Sequence, residues 1–250
     1  MSANKRLILD LCLPVYNEEV ILASNVQRVV DFIHKSDLKV DCRIVILVNG
    51  STDRSAQIAR ALAERWPDLV DFRDYPAGGR GHTLLAYADT SQADWWGYMD
   101  IDLAVDLADL PQLLTMVASK AADLVVASRF LSGASCSRSF SRELISSIYN
   151  WLARCFLGTS IKDHQCGCKF ISRSWWKTIR PRLKDTNWFL DTEMIAWTAK
   201  LGGRVLEYPV HWVDNRHLIR STKVKLGRDI INFIINLFQL RRRLKAEHHN

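Results

Sequence analysis

The sequence predicts an α/β fold in which helices cover both faces of a mostly parallel sheet. Up to Arg129, short apolar runs typical of buried strands alternate with amphipathic segments typical of helices. Polar or glycine-containing turns follow most of these strands. Because right-handed crossovers join parallel strands, the carboxyl ends of the strands should lie along one edge, where open α/β sheets bind ligands.

Five strands are predicted in the first part of the chain, at Leu7–Leu13, Cys42–Val48, Leu69–Tyr75, the start of the stretch Trp95–Leu103, and Ala122–Ser128. The helices between them are predicted at Glu18–His34, Ser55–Trp66 and His82–Ala88, and Pro111 is placed near the start of a further helix. We expect Pro14 to end the first strand and Asn17 to cap the helix that follows. Ser51 or Thr52 should cap the second helix.

After Arg129 the alternation changes. The later elements are predicted as a polar loop at Gly133–Phe140, an amphipathic helix at Arg142–Phe156, a strand at Phe170–Ile171, a helix opened by Trp188–Glu193, a strand at Arg204–Val210 and an amphipathic helix at Leu226–Leu240.

The composition is that of a globular protein, with 48% hydrophobic and 24% charged residues among 250. The net charge is +7, and the whole surplus lies in residues 215–250, since residues 1–214 hold 25 basic and 25 acidic side chains. A basic tail without an aromatic-studded basic face argues against nucleic-acid binding. The spacing of the six cysteines does not predict a zinc site. We expect a reducing cytoplasmic setting and no membrane span.

The stretch Trp95–Leu103 ends in the carboxylates Asp100 and Asp102, which are one residue apart. At the carboxyl end of a strand this pair offers hard oxygen ligands for Mg²⁺ or Mn²⁺. The alternative is that the carboxylates cap the next helix. Neither a P-loop, nor Gly-x-Gly-x-x-Gly after the first strand, nor Gly-x-Ser-x-Gly is present, which disfavours an NTPase, a dinucleotide-binding enzyme and a serine hydrolase.

Six motifs occur in a fixed order: Pro14–Glu18, Asn49–Asp53, Asp100–Asp102, Ser128–Arg129, Asp163–Gly167 and Phe189–Glu193. Together they resemble the family 2 inverting glycosyltransferases of the GT-A (Rossmann-like) fold. The branch that is most similar contains the dolichol-phosphate mannose and glucose synthases, and the resemblance covers roughly residues 7–225. It implies a catalytic domain over residues 1–226. Residues 227–250 would form a basic amphipathic helix that either lies on the membrane interface or packs on its own domain.

The resemblance also implies roles for single residues. The residues that would hold the nucleotide-sugar donor are Pro14, Tyr16, Glu18, Asn49, Asp53, Arg80 and Asp100. Asp100 and Asp102 would hold the metal, and the acceptor phosphate would be lined by Arg129, Arg142, Ser146 and Gln165. The catalytic set would be Asp102, Asp191 and Arg129. Asn49 stands where the family usually has Asp, Arg80 where it has Lys, and Ala104 departs from both synthase types.

The expected reaction is transfer of a sugar from a UDP-glucose or GDP-mannose type of donor to a polyprenyl (dolichyl or undecaprenyl) phosphate at the cytoplasmic membrane face. A hydroxyl acceptor would require a general base, for which Asp191 is the candidate. A phosphate acceptor is already ionised and needs cations, which Arg129 and Arg142 can supply. A saccharide or protein hydroxyl acceptor and a sugar nucleotidyltransferase are the alternatives.

Overall fold

The computed structural model describes residues 6–214 and 226–247, with side chains from residue 232 onward in the second segment. The described strands are β1 (Ile8–Val15), β2 (Asp41–Asn49), β3 (Val70–Tyr75), β4 (Trp95–Met99), β5 (Leu124–Ser128), β6 (Ser135–Ser137), β7 (Cys168–Ser172), β8 (Val205–Pro209) and β9 (His211–Val213). The described α-helices are α1 (Leu22–Lys35), α2 (Ser55–Arg65), α3 (Arg80–Thr90), α4 (Leu110–Ala118), α5 (Phe140–Leu157), α6 (Arg173–Ile179), α7 (Leu190–Lys200) and α8 (Leu226–Ala246).

Seven strands form one mixed sheet in the order β3-β2-β1-β4-β7-β5-β8, and β6 pairs with β9 in a small second sheet. Only β7 in the large sheet runs antiparallel to its neighbours, β4 and β5. Met99 at the end of β4 therefore lies opposite Cys168 at the start of β7. This register brings the turn before β7 to the carboxyl edge of the parallel strands, beside Asp100 and Asp102.

Two apolar clusters of buried side chains lie on the two faces of the large sheet. One includes residues of α1, α2 and α4, and the other includes residues of α3, α5, α6, α7 and α8. Strand β4 is buried along its whole length, which is why its residues are large and apolar or aromatic, except for Gly97. The predicted α/β fold, with a mostly parallel sheet covered on both faces, is confirmed.

The prediction that Pro14 ends the first strand is wrong. Pro14 lies inside β1, opposite Leu47 of β2. Pairing between β1 and β4 stops at Cys12 and Tyr98, so Pro14 is beyond the part of β1 that has neighbours on both sides. A proline lacks an N–H donor and is tolerated where one side of the strand is not paired.

The predicted caps at Asn17, Ser51 and Thr52 are also wrong. Asn17 has a left-handed φ of 52°, unlike a helix cap, and α1 begins only at Leu22. Its Oδ1 accepts a hydrogen bond from the N–H of Thr52 at 2.8 Å, while its own N–H donates to Ser51 Oγ at 3.1 Å. These hydrogen bonds instead connect the loop after β1 to the loop after β2.

Helix α8 packs on the domain through one face and exposes another. Leu237, Leu240 and Leu244 are buried against the cluster that includes α5 and α7, whereas Ile234 and Phe238 are exposed. Arg243 of α8 forms an ion pair with the buried carboxylate of Glu193. Within the two described segments, no helix has the length and apolar character that crossing a membrane requires.

Candidate functional site

The Asp-x-Asp pair follows β4 directly and is held by the turn before β7. The N–H of Asp100 donates to the carbonyl of Gly167 at 3.0 Å. A Cβ at Gly167 would lie 1.9 Å from Asp100 Oδ2, so any side chain at position 167 would displace this carboxylate. Leu103, just after the pair, is buried with a φ of 50°, a left-handed conformation that is costly for a branched residue. The backbone around both carboxylates is therefore tightly constrained.

Asp102 is half-buried, and its Oδ1 accepts the N–H of Ala104 at 3.2 Å. Asp100 uses its Oδ1 to accept from Arg80 at 3.2 Å. Both are hard oxygen donors of the kind that Mg²⁺ and Mn²⁺ take, and such ions usually complete their shell with water and substrate phosphate. Within residues 6–214 and 226–247, no group of three or more acidic, histidine or cysteine side chains could hold a metal alone. The two carboxylates are thus suited to a metal that takes its remaining ligands from water or from a bound phosphate.

A buried charged network lies next to this pair and is centred on Asp191 of α7. Its carboxylate accepts from Lys169 Nζ at 2.9 Å, from Arg80 Nη1 at 2.8 Å and from the hydroxyl of Tyr98. Lys169 also donates to the carbonyl of Cys166 at 2.5 Å. Arg80 stacks over the rings of Tyr98 and Trp188, with centroid distances of 4.8 and 5.0 Å. The Asp191 carboxylate of α7 thus joins its own helix to α3, β4 and β7.

The electrostatics of this network keep Asp191 ionised. Burial by itself raises the pKa of Asp191, but the charges of Lys169 and Arg80 outweigh burial and lower it. Burial lowers the pKa of Arg80, yet the charges of Asp191 and Asp100 raise it above the ordinary value. Burial and the charge of Asp191 raise the pKa of Tyr98, so its hydroxyl stays a proton donor. A carboxylate held by three donors at a lowered pKa is poorly suited to accept a proton.

The loops after β1 and β2 lie at the same edge. Asn49 is buried, and its Oδ1 accepts from Thr83 Oγ1 of α3 at 3.2 Å. Asp53 accepts the N–H of Glu19 at 3.0 Å and the N–H of Ser55 at 3.0 Å. Its carboxylate therefore ties the two loops together. The remaining donor-side candidates differ in exposure: Tyr16 is exposed, Pro14 is half-buried and Glu18 is buried.

On the other side of the turn before β7, Arg129 forms a two-pronged ion pair with the buried Asp163. Arg129 Nε and Nη2 donate to the two carboxylate oxygens at 2.7 and 2.9 Å, and its N–H donates to Oδ2 at 3.0 Å. Burial raises the pKa of Asp163, but Arg129 more than offsets this and lowers it. Gln165, two residues on, donates to Thr192 Oγ1 at 2.8 Å. The turn thus links Arg129 to the helix that carries Asp191.

Two further arginines, Arg138 and Arg142, lie around the small sheet of β6 and β9. Arg142 of α5 is ion-paired with Asp214, which follows β9. Arg138, directly after β6, donates from Nη1 to Ser146 Oγ at 3.0 Å. Nε and Nη2 of Arg138 are buried, and neither has a hydrogen-bond partner among the described residues. Arg129 and Arg142 each have a carboxylate partner, whereas Arg138 has none among the described residues, so it adds to the residues that the motifs indicated.

The structure brings the sequence-predicted residues together at one edge of the sheet. Several of them form ion pairs with other side chains of the same chain. Arg80, Asp100 and Asp191 form one connected network, and Arg129 and Arg142 each bind a carboxylate. Sequence reasoning missed Lys169, Tyr98 and Arg138. Lys169 had a usable signal, since a lysine within an apolar strand must find a buried partner. Arg138 had none, because its surroundings come from a loop and a short strand.

The comparisons with known proteins identify the family of the chain. Residues 10–180 match the model of the Glycosyl transferase family 2. The chain is 33% identical over 223 residues to glycosyltransferase AglD of Haloferax volcanii, covering 89% of this chain but 35% of AglD. It is 25% identical over 239 residues to a dolichyl-phosphate beta-glucosyltransferase of Dictyostelium discoideum, covering 89% of this chain and 72% of that protein.

Two solved structures share the fold. Glucosyl-3-phosphoglycerate synthase from Mycobacterium tuberculosis, in complex with UDP, has a TM-score of 0.69 at 20% identity over 94% of this chain and 80% of the other. A mannosyltransferase from Pyrobaculum calidifontis, in complex with GDP-Man and Mn²⁺, has a TM-score of 0.58 at 18% identity. The match covers 98% of this chain and 75% of the mannosyltransferase. The GT-A fold implied by the resemblance is confirmed. The chain therefore belongs to the Glycosyl transferase family 2 and is a glycosyltransferase.

Proposed function

We propose that this glycosyltransferase moves a hexose from a nucleotide sugar to a polyprenyl phosphate at the cytoplasmic face of a membrane, with inversion at the anomeric carbon. The observation that carries the proposal is the juxtaposition of two unlike parts at one sheet edge. One part is the Asp100 and Asp102 pair with Arg80 beside it, and the other is the group of arginines around Arg129. The first suits a diphosphate with a metal, and the second suits a second anion.

On the donor side, Asp102 and Asp100 would hold Mg²⁺ or Mn²⁺. When bound, such a metal supplies Lewis acidity that neutralises charge developing on the departing diphosphate. Arg80 adds a fixed positive charge, and the two acceptors of its hydrogen bonds keep it in place before substrate arrives. We assign Asp191 the role of orienting Arg80 and Lys169. The loops that carry Pro14, Tyr16, Glu18, Asn49 and Asp53 would bind the nucleoside.

On the acceptor side, the incoming nucleophile would be a phosphate oxygen. It forms a bond to the anomeric carbon while the bond from that carbon to the donor's phosphate oxygen breaks, and the nucleoside diphosphate leaves. A phosphate monoester has a second pKa of about 6, so no proton has to be removed at neutral pH. The reaction then needs cations that position the phosphate, and a buried aspartate base is not required. The name of the Dictyostelium relative, a dolichyl-phosphate glucosyltransferase, supports this acceptor class.

A membrane surface is supported by an exposed apolar face beside the arginines. Phe140, Leu144, Ile148 and Trp151 follow one another at helical spacing along α5, and Phe140 and Trp151 are 80% and 57% exposed. Phe238 of α8, which is 52% exposed, packs edge-on against Phe156 of α5 at 4.7 Å. Apolar side chains next to a basic helix end favour anionic lipid surfaces. We propose that residues 227–250 contribute to this surface and also pack on the domain.

The test is transfer of labelled sugar to dolichyl or undecaprenyl phosphate in mixed micelles, with a panel of UDP- and GDP-sugars. We expect a glycolipid with one donor, loss of its formation on chelation of metal, and recovery with Mg²⁺ or Mn²⁺. The anomeric configuration of the product, read by NMR, should be inverted relative to the donor. A product of retained configuration, or an unchanged rate in excess chelator, would contradict the corresponding part of the proposal. Transfer only to saccharide or protein hydroxyls would move the assignment to the alternative acceptor.

A further inference from the structure

Arg138 lies where the backbone is held on both sides. It follows β6, whose residue Ser137 pairs with Val213 of β9. It precedes α5, which begins at Phe140. The guanidinium lies over the rings of Phe130 and Trp212, at 5.5 and 5.9 Å from their centroids. In this position Nε and Nη2 are away from solvent.

Arg129 packs on the same two rings, at 5.8 Å from the centroid of Phe130 and 5.6 Å from that of Trp212. Two guanidinium groups therefore flank one aromatic pair. In Arg129 the edge made of Nε and Nη2 is filled by the carboxylate of Asp163. In Arg138 the same edge is buried and is not bonded to any described residue.

This open edge is energetically unfavourable unless something binds it. A buried N–H group without a partner loses its hydrogen bonds to water, and the loss is larger for a charged group. Burial lowers the pKa of Arg138, and the neighbouring charge of Arg129 lowers it further. No described carboxylate forms an ion pair with Arg138, whereas Arg129 and Arg142 each have one. An anion at this position would accept hydrogen bonds from the buried N–H groups, and its charge would offset the repulsion between Arg138 and Arg129.

We propose that Arg138 is a ligand of the acceptor's phosphate group and binds two of its oxygens through Nε and Nη2. This inference rests on the proposed function, and it adds a residue to Arg129, Arg142 and Ser146. The Nε and Nη2 edge of a guanidinium is a planar fork that matches two oxygens of a phosphate or a carboxylate. The bond from Nη1 to Ser146 orients that fork, so Ser146 acts on the phosphate at least partly through Arg138.

The shared chemistry is a phosphate monoester, which a lipid or a small soluble metabolite can carry. The exposed apolar residues of α5, which begin at Phe140, two positions after Arg138, favour the lipid. A phosphate bound by Arg138 would have its chain leave toward this helix. A soluble phosphate ester would use the same fork without needing the helix.

The experiment compares Arg138→Ala and Arg138→Lys with the wild type by steady-state kinetics on polyprenyl phosphate. Arg138→Ala should raise the acceptor KM or lower kcat/KM for the acceptor by about 10- to 100-fold, with the donor KM within about twofold. Arg138→Lys keeps the charge but not the planar fork, so it should restore only part of the loss. The matched control is Arg60→Ala, because Arg60 is an exposed arginine that also stacks on a ring, at 5.3 Å from the centroid of Phe72, and should leave the kinetics unchanged.

A second arm separates failure of this inference from failure of the proposed function. Binding of 3-phosphoglycerate, inorganic phosphate and a short-chain polyprenyl phosphate is measured by calorimetry on the wild type and on both variants. If the wild type transfers no sugar to polyprenyl phosphate but binds the soluble ester, and Arg138→Ala loses that binding, the phosphate site stands with a soluble acceptor. If folded Arg138→Ala and Arg138→Lys bind and turn over phosphate acceptors as the wild type does, the inference is overturned. Should Arg138→Ala fail to fold, Arg138→Lys decides by the same criteria.

Discussion

Two arginines in this site, Arg80 and Arg138, differ in what surrounds them. Arg80 donates to Asp191 and Asp100, while its Nε is buried without a hydrogen-bond partner among the described residues. Arg138 donates only to the hydroxyl of Ser146 and forms no ion pair with the described residues. The donor side is therefore a charge network that is largely complete before substrate binds. The acceptor side retains the Nε and Nη2 donors of Arg138, which the proposed phosphate would bind. This difference indicates which substitutions should lower the unfolding free energy and which should impair the binding or turnover of one substrate.

The largest effect is expected from Asp191→Ala, because it leaves Arg80 and Lys169 buried without their carboxylate. Removing one partner of such a network costs about 3–5 kcal/mol of unfolding free energy. Urea denaturation measures it. Asp89→Ala is the control, since the Asp89 pair with Arg180 is partly exposed on both sides and should cost less than about 1 kcal/mol. Equal effects of the two substitutions would show that the buried network is not what holds the donor side.

Asp102→Asn should act on turnover and leave stability unchanged. The amide has nearly the same shape as the carboxylate and can still accept the N–H of Ala104. It is a weaker ligand for Mg²⁺ or Mn²⁺, so metal-stimulated turnover should fall by about 100-fold or more. The measurement is kcat over a metal titration, together with a urea midpoint. Wild-type turnover by this variant in the presence of EDTA would remove Asp102 from the metal site.

His164 offers a test of the scaffold on the acceptor side. It is buried, its Nε2 lies 2.8 Å from Thr159 Oγ1, and its Nδ1 lies 3.2 Å from Asn150 Oδ1. Burial lowers the pKa of His164 to about 4, the charge of Asp163 opposes this, and the charges of Lys169 and Arg154 add to it. The folded protein therefore keeps this imidazole neutral at pH values where the unfolded chain protonates it.

Acid should destabilise the fold through His164. As pH falls from about 6.5 to about 4, the unfolded chain takes up the proton first, and the unfolding free energy drops by up to about 3 kcal/mol. We expect His164→Asn to lose this part of the pH dependence while remaining less stable at pH 7. Urea midpoints at pH 7, 5.5 and 4.5 measure it. An identical slope in wild type and variant would contradict the assignment.

How far the sequence predicted the site depends on how local the cause was. The carboxylates Asp100 and Asp102 were placed correctly because a buried strand followed by acidic residues is a local pattern. The sequence did not predict that β7 lies antiparallel between β4 and β5, because the predicted strand Phe170–Ile171 is too short to indicate the direction in which it runs. The partners of Lys169 depend on that placement of β7. The environment of Arg138 depends on pairing between two strands of three residues each, β6 and β9, which are far apart in the chain.

The smallest expected effect concerns the exposed face of α5. Trp151→Ser should reduce binding to vesicles of anionic phospholipid by about five- to tenfold, equivalent to roughly 1 kcal/mol for one partly inserted apolar side chain. Turnover of a short-chain acceptor in detergent should not change. Val20→Ser, at another exposed apolar position, is the control. Cosedimentation with vesicles measures both variants, and equal binding by Trp151→Ser and wild type would remove α5 from the proposed membrane surface.

The acceptor, in this proposal, is held by its phosphate group. This is tested most directly by comparing kcat/KM of the wild type for a polyprenyl phosphate and for the alcohol of the same chain length. A site that binds the acceptor through its phosphate should discriminate against the alcohol by at least about 1,000-fold, because the alcohol leaves the buried Nε and Nη2 of Arg138 without a ligand. Equal kcat/KM for the phosphate and the alcohol would contradict the account and point to a hydroxyl acceptor.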